Sequence, residues 1–450
     1  MNIVVIGGGK VGATLIEQLT DEDHDITVID ANSKVLTDLT NRYDIAGVCG
    51  NGAAYPSQKQ ASVEKADLVI ATTPTDELNI LCCMVANQLG AKHTIARIRN
   101  PEYAPQMEYL QERMGLSMYI NPELETANEI TRILHFPSAI KVNAFMRDRA
   151  EMIEMKLESG NPLIGLALKD LRGYYKGDIL ICAVYRGDKE FIPGGNFVLE
   201  EHDHIILLGS PNDLNELSKK VNPSFRKVKN VMIVGGSRIA HYLSDILLEQ
   251  GVRVKIVDLS EKRCLELSEQ ITGARIICGD ARDRELLQEE GIEKMDAFIA
   301  LTGLDEENII ASIYADSCGV PKVISKIGDR DMAGMVDRLG LDIVVSPKTL
   351  TADIIIRYAR SLEYAGDDSM KTLYTICNGK IEVMEYHVDG DLPFLGQPLA
   401  NLKIKPGILI ACIVRDGRTI IANGASTIAH GDNVIVVSRK GKVKSLLDIR

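Results

Sequence analysis

The chain has 450 residues, 45% of them hydrophobic and 25% charged, and a formal net charge of −12. That length calls for more than one hydrophobic core, and the composition excludes a disordered chain. The acidity argues against nucleic acid as the partner, because phosphate-binding domains carry a basic excess. No apolar run approaches the roughly 18 residues of a membrane-spanning helix, and MNIVVIGGGKVG lacks a secretory leader pattern, so a soluble, cytoplasmic protein is predicted.

From the first residues, short β-branched runs alternate with helical patterns. The runs are IVVI (3–6), ITVI (26–29), AGVC (46–49), LVIA (68–71), TIARI (94–98) and SMYI (117–120). Continuous apolar runs separated by helices predict a parallel, doubly wound α/β sheet. Gly7, Gly8, Gly9, Lys10, Val11 and Gly12 follow the first run and fit G-x-G-x-x-G, with Asp30 closing the second. In that context the pattern is a Rossmann dinucleotide fingerprint. Gly7 permits the tight turn, Gly9 leaves room for a pyrophosphate, and Gly12 lets the helix pack closely. The helix N–H groups hold the phosphates, and Asp30 accepts from the adenosine ribose, favouring NAD or NADH over a 2′-phosphorylated dinucleotide.

Thr72 and Thr73 end the fourth run, beside the switch point of the sheet. They contact the cofactor or cap the next helix, and the same two readings apply to Asp76 and Asn79. Arg97 is a charge inside TIARI, placed either for a phosphate or for a surface ion pair. After Asn121-Pro122 and the helical stretch ETANEITRIL, the texture changes. The segment DILICAVYRGDKEFIPGGNFVLEEHDHIILLG alternates short strands with glycine turns and predicts a small α+β domain of roughly 80 residues. VNPSFRKVKN (221–230) is a candidate linker.

The pattern then repeats. NIVVIGGGKVGATLIEQL aligns with NVMIVGGSRIAHYLSDIL, so that Gly7 falls on Gly235 and Asp30 on Asp258. Further along, Cys49-Gly50 falls on Cys278-Gly279, Asn79 on Asn308, Arg97 on Lys326, and Asp203 on Asp432. The chain is two copies of one unit. The predicted domains are Rossmann units at 1–121 and 229–346, each followed by a small domain, at 141–222 and 369–450. Copy two departs from the fingerprint: Gly235, Gly236, Ser237, Arg238, Ile239 and Ala240 place serine at the middle position, where it crowds a pyrophosphate. Asp258 is retained, Asp280 is placed to reach an adenine or ribose edge, and Lys326 keeps the charge of Arg97, whereas Gly328 stands opposite Arg99. Copy two therefore binds weakly, binds another nucleotide, or is structural.

No catalytic set emerges. Tyr55 and Lys59 share the Y-x-x-x-K spacing, but Pro56 argues against an uninterrupted helix there. His202 and His204 are read as a polar strand entry with both side chains on one face, a metal being the lesser reading. The nine cysteines contain no C-x-x-C pair and are read as buried thiols in a reducing compartment.

GGGKVG, ITVID, ATTPTDELN and IARIRNPEY, with PLIG, Lys169-Asp170-Leu171, Gly177-Asp178 and Ile192-Pro193 in the small domain, resemble the regulator-of-potassium-conductance (RCK or KTN) family. Two fused copies are similar to the regulatory subunits of Trk potassium uptake systems. The resemblance implies a non-enzymatic subunit that assembles as a ring, here a homotetramer. It would lie peripherally on the inner face of the membrane against a potassium-translocating integral membrane subunit. NAD(H), ATP or ADP would bias its conformation through Gly7 to Val11, Asp30, Thr72, Thr73 and Arg97, and through Gly235 to Ile239, Asp258, Asp280 and Lys326. An NAD-dependent oxidoreductase, or a regulator of another potassium channel or antiporter, is the alternative.

Overall fold

The computed structural model describes residues 1–450 except 21, 23, 102, 137–138, 146–149, 188, 222–226, 330–331, 333–340, 342, 365–369, 378–379, 391 and 444. Part of the candidate linker and residue 369 thus lie outside the described residues.

The first Rossmann unit runs β1 (Asn2–Ile6), α1 (Lys10–Thr20), β2 (Asp25–Asp30), α2 (Ser33–Arg42), β3 (Ala46–Cys49), α3 (Tyr55–Gln60), β4 (Leu68–Ala71), α4 (Asp76–Leu89), β5 (His93–Arg97), α5 (Ala104–Leu110) and β6 (Met118–Ile120). Its strands lie in the order β3-β2-β1-β4-β5-β6, all parallel. The order reverses between β1 and β4, which opens a crevice at their carboxyl ends. Ile3 to Ile6 and Leu68 to Ala71 are buried without interruption because helices cover both faces of the sheet. Each such Ile, Leu or Val contributes about 1.5–3 kcal/mol relative to exposure.

Helix α6 (Pro122–His135) leads into a small antiparallel sheet of β7 (Ala139–Phe145), β8 (Ala150–Lys156), β9 (Ile179–Arg186), β10 (Lys189–Phe191) and β11 (His204–Gly209). The short α7 (Leu171–Tyr174) and α8 (Pro211–Val221) complete this domain, whose strand order is β10-β9-β11-β8-β7. Copy two repeats the scheme with β12 (Asn230–Val234), α9 (Arg238–Glu249), β13 (Arg253–Asp258), α10 (Glu261–Gln270), β14 (Arg275–Cys278), α11 (Arg284–Glu289), β15 (Ala297–Ala300), α12 (Asp305–Ser317), β16 (Val323–Lys326) and β17 (Val344–Val345). Its sheet order is β14-β13-β12-β15-β16-β17. A helix at Pro347–Tyr364 precedes β18 (Met370–Ile376), β19 (Ile381–His387), β20 (Ile408–Arg415), β21 (Arg418–Ile421) and β22 (Asn433–Arg439), ordered β18-β19-β22-β20-β21.

Packing groups the chain by kind of domain, not by copy. Met1–Thr131 and Lys229–Ala359, the two Rossmann sheets, form one compact unit; Arg132–Val228 and Arg360–Arg450 form the other. In the second unit a single core joins Ala150, Cys182 and Ile206 of the first small sheet to Ile381, Cys412 and Ile435 of the second. Each small domain also holds, at the same place, an ion pair between a buried carboxylate and a half-exposed arginine. Arg186 binds Asp203 through Nε (2.6 Å) and Nη2 (2.8 Å), and Arg415 binds Asp432 through both nitrogens at 2.8 Å.

Several local expectations are corrected. Tyr55 to Gln60 is helical despite Pro56, because proline in the first turn removes no helical hydrogen bond. His202 lies in a turn with φ 64°, before β11 begins at His204, so the two imidazoles do not share a strand; His204 instead meets Glu154 at 3.0 Å. Five cysteines are buried, but Cys49 and Cys278, at the ends of equivalent strands, are exposed.

Candidate nucleotide site

The crevice of copy one is shaped by its glycines. Gly7 turns the chain with φ 100°, and its N–H donates to the Ile29 carbonyl at 2.8 Å. A methyl on Gly12 would stand 2.0 Å from the Gly7 carbonyl oxygen, so α1 starts against the loop as closely as a backbone can. At Gly9 a methyl would meet nothing within 4 Å: this is the open side, where a ligand's phosphates can approach. Gly9 and Lys10 are exposed, Val11 is half-buried, and α1 has no acidic residue in its first turn, so the field there favours an anion.

Asp30 is already at work in the protein itself. Its Oδ2 accepts from Gly8 N–H and its Oδ1 from Asn32 N–H, both at 2.7 Å. Each carboxylate oxygen keeps a second lone pair for a ribose hydroxyl. Asp258 does the same in copy two, accepting from Gly236 N–H at 2.6 Å and Ser260 N–H at 2.8 Å.

Thr72 and Thr73 are buried, and neither caps a helix. Thr72 Oγ1 donates to the Gly7 carbonyl at 3.0 Å, and Thr73 Oγ1 donates to Asn79 Oδ1 at 2.7 Å. The cap position of α4 is Thr75, without a side-chain bond. Asp76 and Asn79 staple the ends of β4 and β5 together: Asp76 Oδ2 accepts from Arg99 and Asn100 N–H at 2.8 Å, and Asn79 Nδ2 donates to the Arg97 carbonyl at 2.8 Å. Asp305 and Asn308 repeat both staples.

Copy two holds an open cleft of about 470 Å³ lined by Gly235, Gly236, Ser237, Asp258, Asp280 and Thr302. Ser237 caps α9, its Oγ accepting from Ala240 N–H at 3.3 Å. The serine therefore both narrows the approach and occupies an N–H that a phosphate would use. Asp280 is bound by Arg282 through Nε (2.9 Å) and Nη2 (2.7 Å), which holds its carboxyl below the usual range.

Copy two reaches the mouth of copy one. Tyr242 of α9 accepts from Asn121 Nδ2 at 2.8 Å and donates to the Arg99 carbonyl at 3.3 Å, tying copy two to the mouth of copy one. Arg97 feels the charges of Arg99 and of Arg238 on copy two's glycine loop; Lys326 feels that of Lys10 on copy one's loop. Burial, with Arg99 next, pushes the Arg97 guanidinium down to about 10, and burial lowers Lys326. Arg97 Nη2 donates to the Thr73 carbonyl at 2.5 Å, while its Nε is buried without a hydrogen-bond partner. Glu123 sits among these cations, raised chiefly by burial, with Oε2 buried and unbonded. Sequence reasoning missed Glu123. Its signal was a charge reversal at equivalent positions, Pro122-Glu123 against Pro347-Lys348.

The TrkA-N domain family matches residues 3–122 and 231–347, and the TrkA-C domain family matches 152–222 and 383–449. The chain belongs to the TrkA family. The Trk system potassium uptake protein TrkA of Vibrio alginolyticus is 31% identical over 97% of this chain and 95% of its own length. That of Halomonas elongata is 32% identical over the same shares, and the TrkA homologue of Archaeoglobus fulgidus is 30% identical over 100% of both chains. The fold of this TrkA-family chain is also that of the GsuK channel solved bound to NAD, at a TM-score of 0.65 and 17% identity over 98% of this chain and 77% of that one. The tandem architecture expected from the sequence, a Rossmann domain and a small domain repeated twice, is thus present, and the relatives are named as potassium uptake proteins rather than as enzymes. Among the described residues, no helix is long and apolar enough to cross a membrane.

Proposed function

We propose that this chain is the nucleotide-sensing regulatory subunit of a potassium uptake system, lying on the inner face of the membrane and gating a potassium-translocating membrane subunit. In this reading NAD or NADH occupies the crevice of copy one, held by Gly7 to Gly12, Asp30 and Arg97 with Thr72 and Thr73 shaping its floor. Copy two, with Gly235 to Ile239, Asp258, Asp280 and Lys326, takes an adenine nucleotide such as ATP or ADP, or binds weakly. The observation that carries the reading is the contact between the copies at the crevice mouth, where Tyr242 of α9 bonds Asn121 and the Arg99 carbonyl beside Arg97, with the charges of Lys10 and Arg238 felt by the strand-end cation of the other copy. A phosphate bound there is stabilised by both copies at once. Its affinity depends on how the two Rossmann sheets are arranged, which is the condition for a ligand to shift a conformational equilibrium.

Self-assembly into a ring, proposed as four chains, draws support from paired exposed apolar residues. Leu81 and Met84 on α4 are 48% and 40% exposed, and Ile310 and Ile313 on α12 are 59% and 41% exposed at the equivalent positions. The test is potassium flux in proteoliposomes that hold a Trk-type potassium-translocating membrane subunit. Flux that changes on adding NADH or ATP only when this chain is present supports the proposal; flux indifferent to nucleotide contradicts it.

A further inference from the structure

Copy two carries a pair of thiols that copy one lacks. Cys278 ends β14, exposed, and lies in register with Asp258 of β13. Cys264, on α10, is buried beneath it, and its Sγ donates toward the Asp258 carbonyl at 3.4 Å and the Ile277 carbonyl at 3.8 Å. Ile277 is the residue before Cys278 and Asp258 is its partner across the strands, so the Cys264 Sγ lies against the backbone that carries Cys278. In copy one Cys49 takes the place of Cys278, equally exposed at the end of β3, but the residue of α2 equivalent to Cys264 is Leu36. The protein thus contains the same exposed thiol twice, once with a second thiol against it and once without.

We infer that Cys264 and Cys278 form a redox-active pair, a site of reversible modification by low-molecular-weight disulfides such as glutathione disulfide. The exposed Cys278 thiolate attacks one sulfur of that disulfide, forming a mixed disulfide and releasing one glutathione. The Cys264 thiolate then attacks the Cys278 sulfur, breaking the bond to glutathione and releasing the second. The two cysteines lose two electrons and two protons, and one glutathione disulfide becomes two glutathione thiols. Burial, then the neighbouring Cys278, pushes the Cys264 thiol up to about 11, so the closing step quickens as pH rises above neutral. The bridge would lie under the Gly279-Asp280 turn, whose Gly279 N–H donates to the Asp258 carbonyl at 2.9 Å. It would therefore join α10 to the rim of copy two's cleft.

Cys49 is the internal control. The full-length protein is incubated with glutathione disulfide, trapped by acid, and mapped by peptide mass spectrometry. Cys49 is expected to carry glutathione, whereas Cys264 and Cys278 are expected to be joined to each other with the loss of two hydrogens and no glutathione. In Cys264→Ser, Cys278 should retain glutathione as Cys49 does. A wild-type protein in which Cys278 holds glutathione as stably as Cys49, links to a second chain, or stays unmodified while Cys49 reacts would overturn the inference. The chemistry stands or falls without reference to nucleotide, so its failure leaves the proposed function untouched.

Discussion

Gly12 and Ala240 occupy the same position of the two copies, and at the first there is no room for the methyl that the second carries. A methyl at Gly12 would sit 2.0 Å from the Gly7 oxygen, whereas Ala240 is fully buried at the start of α9. Gly12→Ala must move α1 away from its loop, and overpacking of this kind costs about 1–3 kcal/mol. We expect a lower melting temperature by calorimetry together with weaker NADH binding; a variant as stable as wild type would show that the loop is slack. Lys322 poses a different question, because burial takes its ammonium down to about 7 from an ordinary 10.5. Between those values the unfolded chain binds more protons than the folded one, so stability rises with pH from 7 towards 10.5. Melting curves at pH 7, 8 and 9 should show that rise, and Lys322→Met should flatten it. Gly12 was legible in the sequence as the last glycine of the fingerprint, but Lys322 was not: a buried amine is a property of the packed chain, and Lys322 in GVPKVISK reads as an ordinary surface lysine.

At the scale of elements the sequence was most readable where periodicity is strongest. The apolar runs of both Rossmann units appear as strands, and the fingerprint sits between β1 and α1, because each run needs cover on both faces and only βαβ winding supplies it. Capping was less readable. Asp76 and Asn79 look like helix-start residues, but the crevice needs the ends of β4 and β5 tied together, and that tertiary demand took both side chains. The cluster at the start of α6 was invisible as a cluster, since Lys10, Arg97 with Arg99, Glu123, Arg238 and Lys326 come from five separate segments. Glu123 there offsets the cations that a phosphate would meet. Glu123→Gln removes a competing negative charge, so nucleotide affinity should rise several-fold, corresponding to about 1 kcal/mol. Fluorescence titration with NADH would show it, and a fall in affinity would mean that Glu123 positions Arg97 or Arg238 rather than competing for them.

The whole molecule is a duplication whose copies are interleaved in space. The repeat was evident from residue pairings hundreds of positions apart, but the regrouping into a Rossmann unit and a unit of small sheets was not inferred. One signal for it existed. Ile181 to Val184 and Ile410 to Val414 are buried without alternation, unlike an antiparallel strand with one wet face, so both faces of those small sheets must be covered. The shared core of Cys182 and Cys412 is that cover. Higher assembly has a comparable surface signature in α4 and α12. Replacing Leu81 and Ile310 together by aspartate places charges on both exposed apolar pairs, and light scattering should then report a smaller species than wild type; an unchanged mass would locate the assembly surface elsewhere.

In the proposed function copy one is a dinucleotide site read through Asp30. Calorimetric titration of the full chain with NADH and with NADPH, for wild type and Asp30→Ala, tests it most directly. NADH is expected to bind, NADPH to bind more weakly because a 2′-phosphate meets the Asp30 carboxylate, and Asp30→Ala to weaken NADH by roughly tenfold or more, the loss of a charged hydrogen bond. Equal binding of NADH by wild type and Asp30→Ala, or binding of ATP alone, would contradict it.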